Sequence, residues 1–268
     1  MSNNVLRLYV ENWRCIERVE ILLRPITVIT GDSESGKTSL AYTAFFMAKV
    51  VDYRDVNDLL ISLFGSGLDG VVRSHGNVKH YPVVIDIDGA RFEAYSTDNF
   101  VRPDKSPWSK RYLIPSPRYK IFKYLAPFII KDVYVDSHTG IKLPIMHAPS
   151  GYIDAVIIKH FVDTAHEDSL VVIEEPEMHK TAVKTIEVVR HIAETAVKKK
   201  LTVIMTTNSD ITLHTLSKLI VEGIIKPEYV TVYYLERKPW TVAREIKVYE
   251  DGTMDELPIT EKVIELLW

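Results

Sequence analysis

Residues 31–38 read Gly31-Asp32-Ser33-Glu34-Ser35-Gly36-Lys37-Thr38, which fits the pattern G-x-x-x-x-G-K-[ST] of a phosphate-binding loop. A β-branched run at residues 26–30 precedes the loop, and helical periodicity follows it from residue 37 to about residue 49. Glycines allow backbone N–H groups to point inward at phosphate oxygens, and the helix adds its positive N-terminal end. The sequence therefore predicts a nucleotide site that also takes in Ser39, with Lys37 bridging the β- and γ-phosphates.

A strand that ends in carboxylates is predicted later in the chain, where residues 170–173 are apolar and Glu174-Glu175-Pro176-Glu177 follows. The carboxyl ends of strands in α/β sheets face the crevice where ligands bind. In that position we expect Glu174 and Thr38 to hold Mg²⁺, and Glu175 to orient or deprotonate an attacking water. The plainer interpretation is an acidic cap on a helix predicted from about residue 179, which suits Glu177 well.

Strands and helices alternate along most of the chain, which predicts an α/β P-loop fold with a mostly parallel sheet covered by helices. Residues 83–94 alternate around Asp88-Gly89, which is a strong hairpin signal. We interpret residues 1–54 and 131–268 as one P-loop domain and residues 55–130 as a small inserted lobe. A final helix is predicted at residues 261–268.

Composition narrows the class of protein. The chain has 268 residues, a formal net charge of −3 and 46% hydrophobic residues, so it can bury a sizeable core. The net charge alone favours neither a nucleic-acid nor a membrane partner, and no apolar stretch is long enough to span a bilayer. A single cysteine, Cys15, excludes an internal disulfide and is typical of a cytoplasmic protein. The absence of glutamine favours a thermophilic source.

Several short motifs together carry a resemblance to a known family. They are the opening turn Asn12-Trp13-Arg14, the strand end Glu174-Glu175-Pro176-Glu177-Met178-His179, the stretch Thr206-Thr207-Asn208-Ser209, and Ser150-Gly151. In this order they are similar to an N-F/W-R turn, a D/E-E-P-E-x-H Walker B, a T-T-H-S switch strand and a signature loop. The chain thus resembles ABC-class ATPases of the RecF, SMC and OLD type, and more closely their small stand-alone AAA-type ATP-binding relatives in archaea and bacteria.

The resemblance implies an ATP-dependent homodimer with ATP and Mg²⁺ on the P-loop of each subunit. Ser150 and Gly151 of the other subunit would contact the γ-phosphate, and Arg14 would lie near the nucleotide. Catalytic roles are implied for Glu175 and for Asn208, which stands in place of the switch histidine. The chain also has no glutamine for the family's Q-loop, and Glu34 stands where the family usually has glycine. Slow or absent hydrolysis therefore stays open.

A basic stretch, residues 102–131, contains eight lysines or arginines and one acid, with aromatic residues between them. Basic side chains neutralise phosphates and aromatic rings stack on bases, so contact with a nucleic acid or a protein partner is one interpretation. A solvated segment with its own small aromatic core is the other. The residues are Arg102, Lys105, Trp108, Lys110, Arg111, Tyr112, Arg118, Tyr119, Lys120, Phe122, Lys123, Tyr124, Phe128 and Lys131.

These patterns predict a Mg²⁺-dependent ATPase, and the resemblance implies that it dimerises on ATP. Action on or with nucleic acid is one interpretation of its basic stretch. The alternative is an ATP-gated switch, or a component of a defence system, with negligible turnover. A P-loop phosphotransferase ranks below both because it does not explain the Glu-Glu-Pro-Glu strand end.

Overall fold

The structure, a computed structural model, describes residues 5–116, 133–135 and 140–258 of the chain. The predicted final helix at 261–268 lies outside these residues. The described strands, in chain order, are β1 (Leu6–Trp13), β2 (Ile16–Leu23), β3 (Ile26–Gly31), β4 (Ser74–His75), β5 (Val78–Lys79), β6 (Val83–Ile87), β7 (Ala90–Ala94), β8 (Phe100–Val101), β9 (Arg111–Ile114), β10 (Val133–Val135), β11 (Lys142–Pro144), β12 (Leu170–Glu174), β13 (Thr202–Thr206), β14 (Val230–Arg237) and β15 (Thr241–Ile246).

Six α-helices are described. They are α1 (Lys37–Lys49), α2 (Val56–Phe64), α3 (Leu68–Val71), α4 (Ser150–Thr164), α5 (Ala182–Lys198) and α6 (Asp210–Val221). Within the described ranges, no helix is both long enough and apolar enough to cross a membrane.

Eleven of the strands form one mixed sheet in the order β8-β7-β6-β1-β2-β15-β14-β3-β13-β12-β9. The half that contains β14, β3, β13, β12 and β9 is parallel, whereas β7, β6, β1 and β2 pair antiparallel. Glu174 lies opposite Thr206, and Thr206 lies opposite Ile29. This register brings the carboxyl ends of β3, β13 and β12 to the same edge of the sheet, which is where α/β sheets bind ligands.

The core lies on both faces of the sheet, and β3 shows why. Its side chains alternate, so that Ile29 packs with α1–α3 on one face and Val28 packs with α4–α6 on the other. A strand buried on both faces needs a continuous apolar run, and β12 provides one at residues 170–173. The predicted α/β fold with helices on both faces of the sheet is confirmed. The prediction of a mostly parallel sheet is corrected to a mixed sheet, because the strands from β8 to β2 and the pair of β14 with β15 run antiparallel.

The range interpreted as an inserted lobe, residues 55–130, takes part in this sheet. Ile85 of β6 pairs with Val10 of β1, and Leu113 of β9 pairs with Val172 of β12 at the opposite part of the sheet. The predicted hairpin is present, with Ile87 opposite Ala90. The lobe interpretation is therefore corrected for β6–β9, because their backbone groups complete the ladder of the main sheet; the division into two units otherwise stays a prediction.

Candidate functional site

The turn between β3 and α1 is shaped by two glycines. Gly31 has a φ of 136°, and a Cβ placed there would lie 2.1 Å from the carbonyl oxygen of Leu235. Gly36 has a φ of 101°, and a Cβ there would lie 2.8 Å from Thr241 Oγ1. Both the left-handed backbone and the close approach exclude side chains at these positions. The local structure thus explains why the first and sixth residues of the P-loop pattern are glycines.

Lys37, the first residue of α1, folds back over the loop. Its Nζ donates hydrogen bonds to the carbonyl oxygens of Gly31 at 2.9 Å and Asp32 at 2.8 Å. Burial lowers the pKa of the ammonium, while the negative charges of Glu175, Asp32 and Glu177 act in the opposite direction. A partly desolvated cation among loop amides is suited to an anionic ligand.

Thr38 and Glu174 meet directly, although 136 residues separate them in the sequence. The Thr38 hydroxyl donates a 2.6 Å hydrogen bond to Glu174 Oε1, and the Tyr42 hydroxyl donates a 2.9 Å bond to Glu174 Oε2. A hydroxyl and a carboxylate are the oxygen ligands that Mg²⁺ prefers. The two residues predicted to hold Mg²⁺ are therefore adjacent, and their chemistry fits that ion.

Glu175 turns out of the strand with a φ of 43°. Its Oε1 accepts a 2.8 Å hydrogen bond from Asn208 Nδ2, and the Ser116 hydroxyl contacts its Oε2 at 3.3 Å. The backbone N–H of Ser116 also donates to Glu174 Oε2 at 2.9 Å. The carboxylates at the end of β12 are thus oriented by the residues that follow β13 and β9.

The interpretation of this acidic stretch as a helix cap is wrong. The following helix, α5, begins at Ala182 rather than near residue 179, and its N-cap is Thr181, whose side chain accepts from Lys184 N–H. Glu177 contacts instead the two residues that follow β13, where its Oε1 accepts 2.9 Å hydrogen bonds from Thr207 Oγ1 and Asn208 N. Burial raises the pKa of Glu177, and these hydrogen bonds offset part of the rise.

Lys37, Thr38, Glu175 and Asn208 border one open cleft of about 700 Å³, whereas Glu174 is not among the lining residues. Arg14 also lines the cleft, with its guanidinium 5.2 Å from the ring centre of Phe64, and its place near a nucleotide stays a prediction. The lining residues are Arg14, Cys15, Ser33, Glu34, Ser35, Gly36, Lys37, Thr38, Ser39, Gly70, Val72, Ser74, Glu175, Asn208, Arg237 and Trp240. The cleft therefore brings together most of the predicted phosphate-binding residues and both predicted catalytic residues.

Ser150 and Gly151 lie elsewhere. They form the first turn of α4, where Ser150 is exposed and Gly151 packs so closely that an added Cβ would lie 2.1 Å from the His179 carbonyl oxygen. Neither residue is among those that line the cleft in the described part of this chain. The structure thus gives Gly151 a packing reason within its own chain, and the contact with a second subunit stays a prediction.

Several site residues had no recognised signal in the sequence. Ser116 follows β9, whose position beside β12 depends on the strand order, and Tyr42 is one turn into α1. Tyr234 donates a 2.6 Å hydrogen bond to Asp32 Oδ1 from the neighbouring strand β14. Within the described residues, the Ser35 hydroxyl is buried in the loop without a hydrogen-bond partner, so a ligand oxygen would satisfy it.

The basic stretch is less accessible than its sequence suggested. Trp108 is buried, and its Nε1 donates to Thr202 Oγ1 at 3.0 Å, so it is a core residue. Arg111 is mostly buried and pairs with Asp52. Both are corrected from surface contacts to structural residues, whereas Lys105 and Lys110 are exposed. Residues 117–131, with the remaining basic and aromatic side chains, lie outside the described residues.

Comparison with known proteins identifies the fold. No protein-family model matches the sequence, and no curated protein matches it. Among solved structures, an SMC head bound to the C-terminal winged-helix domain of ScpA is similar, with a TM-score of 0.59 and 10% identity over 91% of this chain and 98% of that one. The SMC head domain from Thermotoga maritima is also similar, with a TM-score of 0.52 and 10% identity over 91% and 99% of the two chains. The chain therefore has the fold of SMC head domains.

Proposed function

We propose that this chain binds ATP with Mg²⁺ in the P-loop cleft and hydrolyses it to ADP and phosphate. The observation that carries the proposal is the 2.6 Å contact between Thr38 and Glu174, made beside Lys37 and within a fold shared with SMC heads. A metal ligand pair, a phosphate-directed cation and a second carboxylate, brought together where β3 and β12 end, form the set that phosphoryl transfer to water requires.

Each residue then has a defined task. The loop N–H groups and Lys37 bind the phosphates, and Thr38 and Glu174 hold Mg²⁺, which offsets phosphate charge when bound. Glu175 accepts a proton from water as the water oxygen bonds to the γ-phosphorus and the bond to the ADP oxygen breaks. Asn208 keeps the Glu175 carboxylate in one orientation through its 2.8 Å hydrogen bond.

Binding is tested by calorimetry with ATP and Mg²⁺ on Lys37→Ala. Removal of a charge that makes charge-assisted hydrogen bonds should weaken ATP binding by about 10- to 100-fold, which corresponds to roughly 1.5–3 kcal/mol. Lys218→Ala is the matched control, because Lys218 is exposed on α6 away from the cleft. Equal ATP affinity in both variants would remove the proposed site.

A homodimer gated by ATP is the second part of the proposal. Ser150 is exposed at the start of α4, where a helix leaves its first backbone N–H groups without intrahelical partners, and such groups suit a phosphate. Those of Tyr152 and Ile153 already donate to the Pro149 carbonyl oxygen, so the contact would fall on the N–H groups of Ser150 and Gly151. Since Ser150 does not line its own cleft, its partner would be the γ-phosphate on a second copy. Dimerisation on ATP would then complete the shell around that phosphate.

The ATP-gated switch with negligible turnover is retained as the second candidate because of Asn208. An amide donates to Glu175 but cannot take up or release a proton as a histidine can. Phosphate release under saturating ATP separates the candidates: continuous release favours the hydrolase, and ATP-dependent dimerisation without release favours the switch.

A macromolecular partner through residues 102–131 is the last part of the proposal. One SMC head with this fold is seen with a winged-helix domain of ScpA, so such a head can bind a protein. Three basic residues of this stretch are exposed in the described part of the chain: Arg102, which donates to the Tyr53 carbonyl oxygen, and the two lysines Lys105 and Lys110. Replacing both with Gln should weaken salt-sensitive DNA or RNA binding; an unchanged salt dependence would leave a protein as the partner.

A further inference from the structure

The cleft extends well beyond the phosphate loop. Beyond residues 33–39 and the pair Glu175 and Asn208, its lining comes from three segments that are distant in sequence. The turn after β1 supplies Arg14 and Cys15, and the stretch from α3 to β4 supplies Gly70, Val72 and Ser74. The end of β14 and the turn that follows it supply Arg237 and Trp240. If the phosphates occupy the loop, the ribose and base have to lie in this second part.

Trp240 is the one aromatic side chain among the described residues that line the cleft. The next residue, Thr241, ties this turn to the phosphate loop, since its Oγ1 donates a 2.7 Å hydrogen bond to the Ser35 carbonyl oxygen. The N–H of Thr241 donates to the Cys15 carbonyl oxygen at 2.9 Å. Trp240 therefore directly precedes a residue that is hydrogen-bonded to the phosphate loop. One nucleotide bound with its phosphates in the loop can reach the indole ring.

The indole ring is held in place before any ligand binds. The guanidinium of Arg73 lies 4.7 Å from the ring centre of Trp240, and the His75 ring meets it edge-on at 5.9 Å. Arg73 is itself buried, and its Nε donates to Asn12 Oδ1 at 3.0 Å. A pre-positioned ring loses little side-chain entropy when a ligand packs on it, which favours binding.

We propose that Trp240 forms the aromatic wall that binds the nucleobase of the nucleotide. The inference rests on the proposed function, because it assigns the phosphates to residues 31–39. Every base presents a flat π-face, so packing on an indole adds affinity for a nucleoside triphosphate without selecting one base. The site therefore takes ATP and GTP with similar contributions from Trp240 and prefers both to a triphosphate without a base.

The test compares Mg²⁺ complexes of ATP, GTP and inorganic tripolyphosphate by calorimetry on the full chain. Trp240→Ala should weaken ATP and GTP binding by about 5- to 100-fold, the range for loss of one base–aromatic stack, and leave tripolyphosphate binding unchanged. Trp240→Phe should restore most of the affinity because a phenyl ring also stacks. Tyr95→Ala is the control, since Tyr95 is 50% exposed and does not line the cleft.

The outcomes separate this inference from the proposed function. Equal losses for ATP and tripolyphosphate in Trp240→Ala would show that Trp240 only supports the loop through Thr241, and would overturn the inference. Unchanged ATP binding in Trp240→Ala would also overturn it. In both of these cases the proposed phosphate site would still stand if the wild-type protein binds tripolyphosphate and Lys37→Ala does not. A melting curve for each variant shows whether the fold is kept.

Discussion

Asn208 Nδ2 donates a 2.8 Å hydrogen bond to Glu175 Oε1, which links the second residue after β13 to the acid directly after β12. The same backbone segment also holds Glu177, because Asn208 N–H donates to Glu177 Oε1 at 2.9 Å. One asparagine therefore connects two acids of the Glu-Glu-Pro-Glu stretch. This connection orients the carboxylate that we assign to the water, and it can be tested separately from nucleotide binding.

Glu175→Gln should keep ATP bound while it lowers turnover by about 10²- to 10⁴-fold, because an amide cannot accept the proton of water. Asn208→Ala should give a smaller loss in kcat, about 10- to 100-fold, with little change in ATP affinity, since it removes one hydrogen bond to a charged group. Steady-state phosphate release and calorimetry measure both effects. Glu167→Gln, an exposed acid outside the cleft, is the control. Turnover equal to wild type in Glu175→Gln would contradict the assignment.

Glu34→Gly should stabilise the fold, because Glu34 has a φ of 62° that glycine adopts without strain. The expected gain is about 1 kcal/mol, or roughly 2–4 °C in the melting temperature of a chain this size. Glu34→Ala is the matched control, because it removes the carboxylate but keeps the strained backbone. Both variants should bind ATP more tightly through loss of a negative charge beside the phosphates. Equal melting temperatures for Glu34→Gly and Glu34→Ala would refute the backbone argument.

Glu177→Gln tests the pKa of a buried acid. Burial raises the pKa of Glu177 in the folded state, so the folded protein holds this proton more tightly than the unfolded chain does. The free energy of unfolding is therefore unaffected below about pH 4.5, and it falls as the pH rises from there through the folded-state pKa. Glutamine stays neutral and keeps an oxygen for Thr207 and Asn208. The difference in melting temperature between the variant and wild type should therefore favour the variant more at pH 8 than at pH 4. A difference that is independent of pH would contradict the raised pKa.

Assembly is tested in the Glu175→Gln background, which preserves bound ATP. Sedimentation should show a shift from monomer to dimer with ATP and Mg²⁺ but not with ADP, which lacks the γ-phosphate. A second substitution, Ser150→Glu, should prevent the dimer by repelling that phosphate without weakening ATP binding to the same chain. Ser150→Ala should still dimerise, because the N–H groups of the first turn of α4 remain. A monomer with every nucleotide would contradict the ATP-gated dimer. A dimer that forms regardless of the nucleotide and of the residue at position 150 would contradict it as well. The proposed ATPase activity would be unaffected by either result.

Local patterns in the sequence were enough to predict the phosphate loop and the acidic strand end. Gly31 and Gly36 require backbone conformations that only glycine adopts freely. Residues 170–173 are four consecutive apolar residues, as a strand buried on both faces requires. Each feature can therefore be recognised from residues that are neighbours along the chain. The hairpin at Asp88-Gly89 was predicted for the same reason. Assigning that hairpin to a separate lobe was wrong, because a strand pattern does not state which strand it will pair with.

Only the tertiary structure decided which distant residues meet. The contact between Thr38 and Glu174 exists because β13 lies between β3 and β12 in the sheet, and the contacts of Ser116 exist because β9 lies beside β12. Trp240 reaches the cleft because β14 pairs with β3 and carries the following turn to the loop. Hydrogen bonding between backbones does not depend on side-chain identity, so strand order is settled by packing of the whole sheet and not by any one segment.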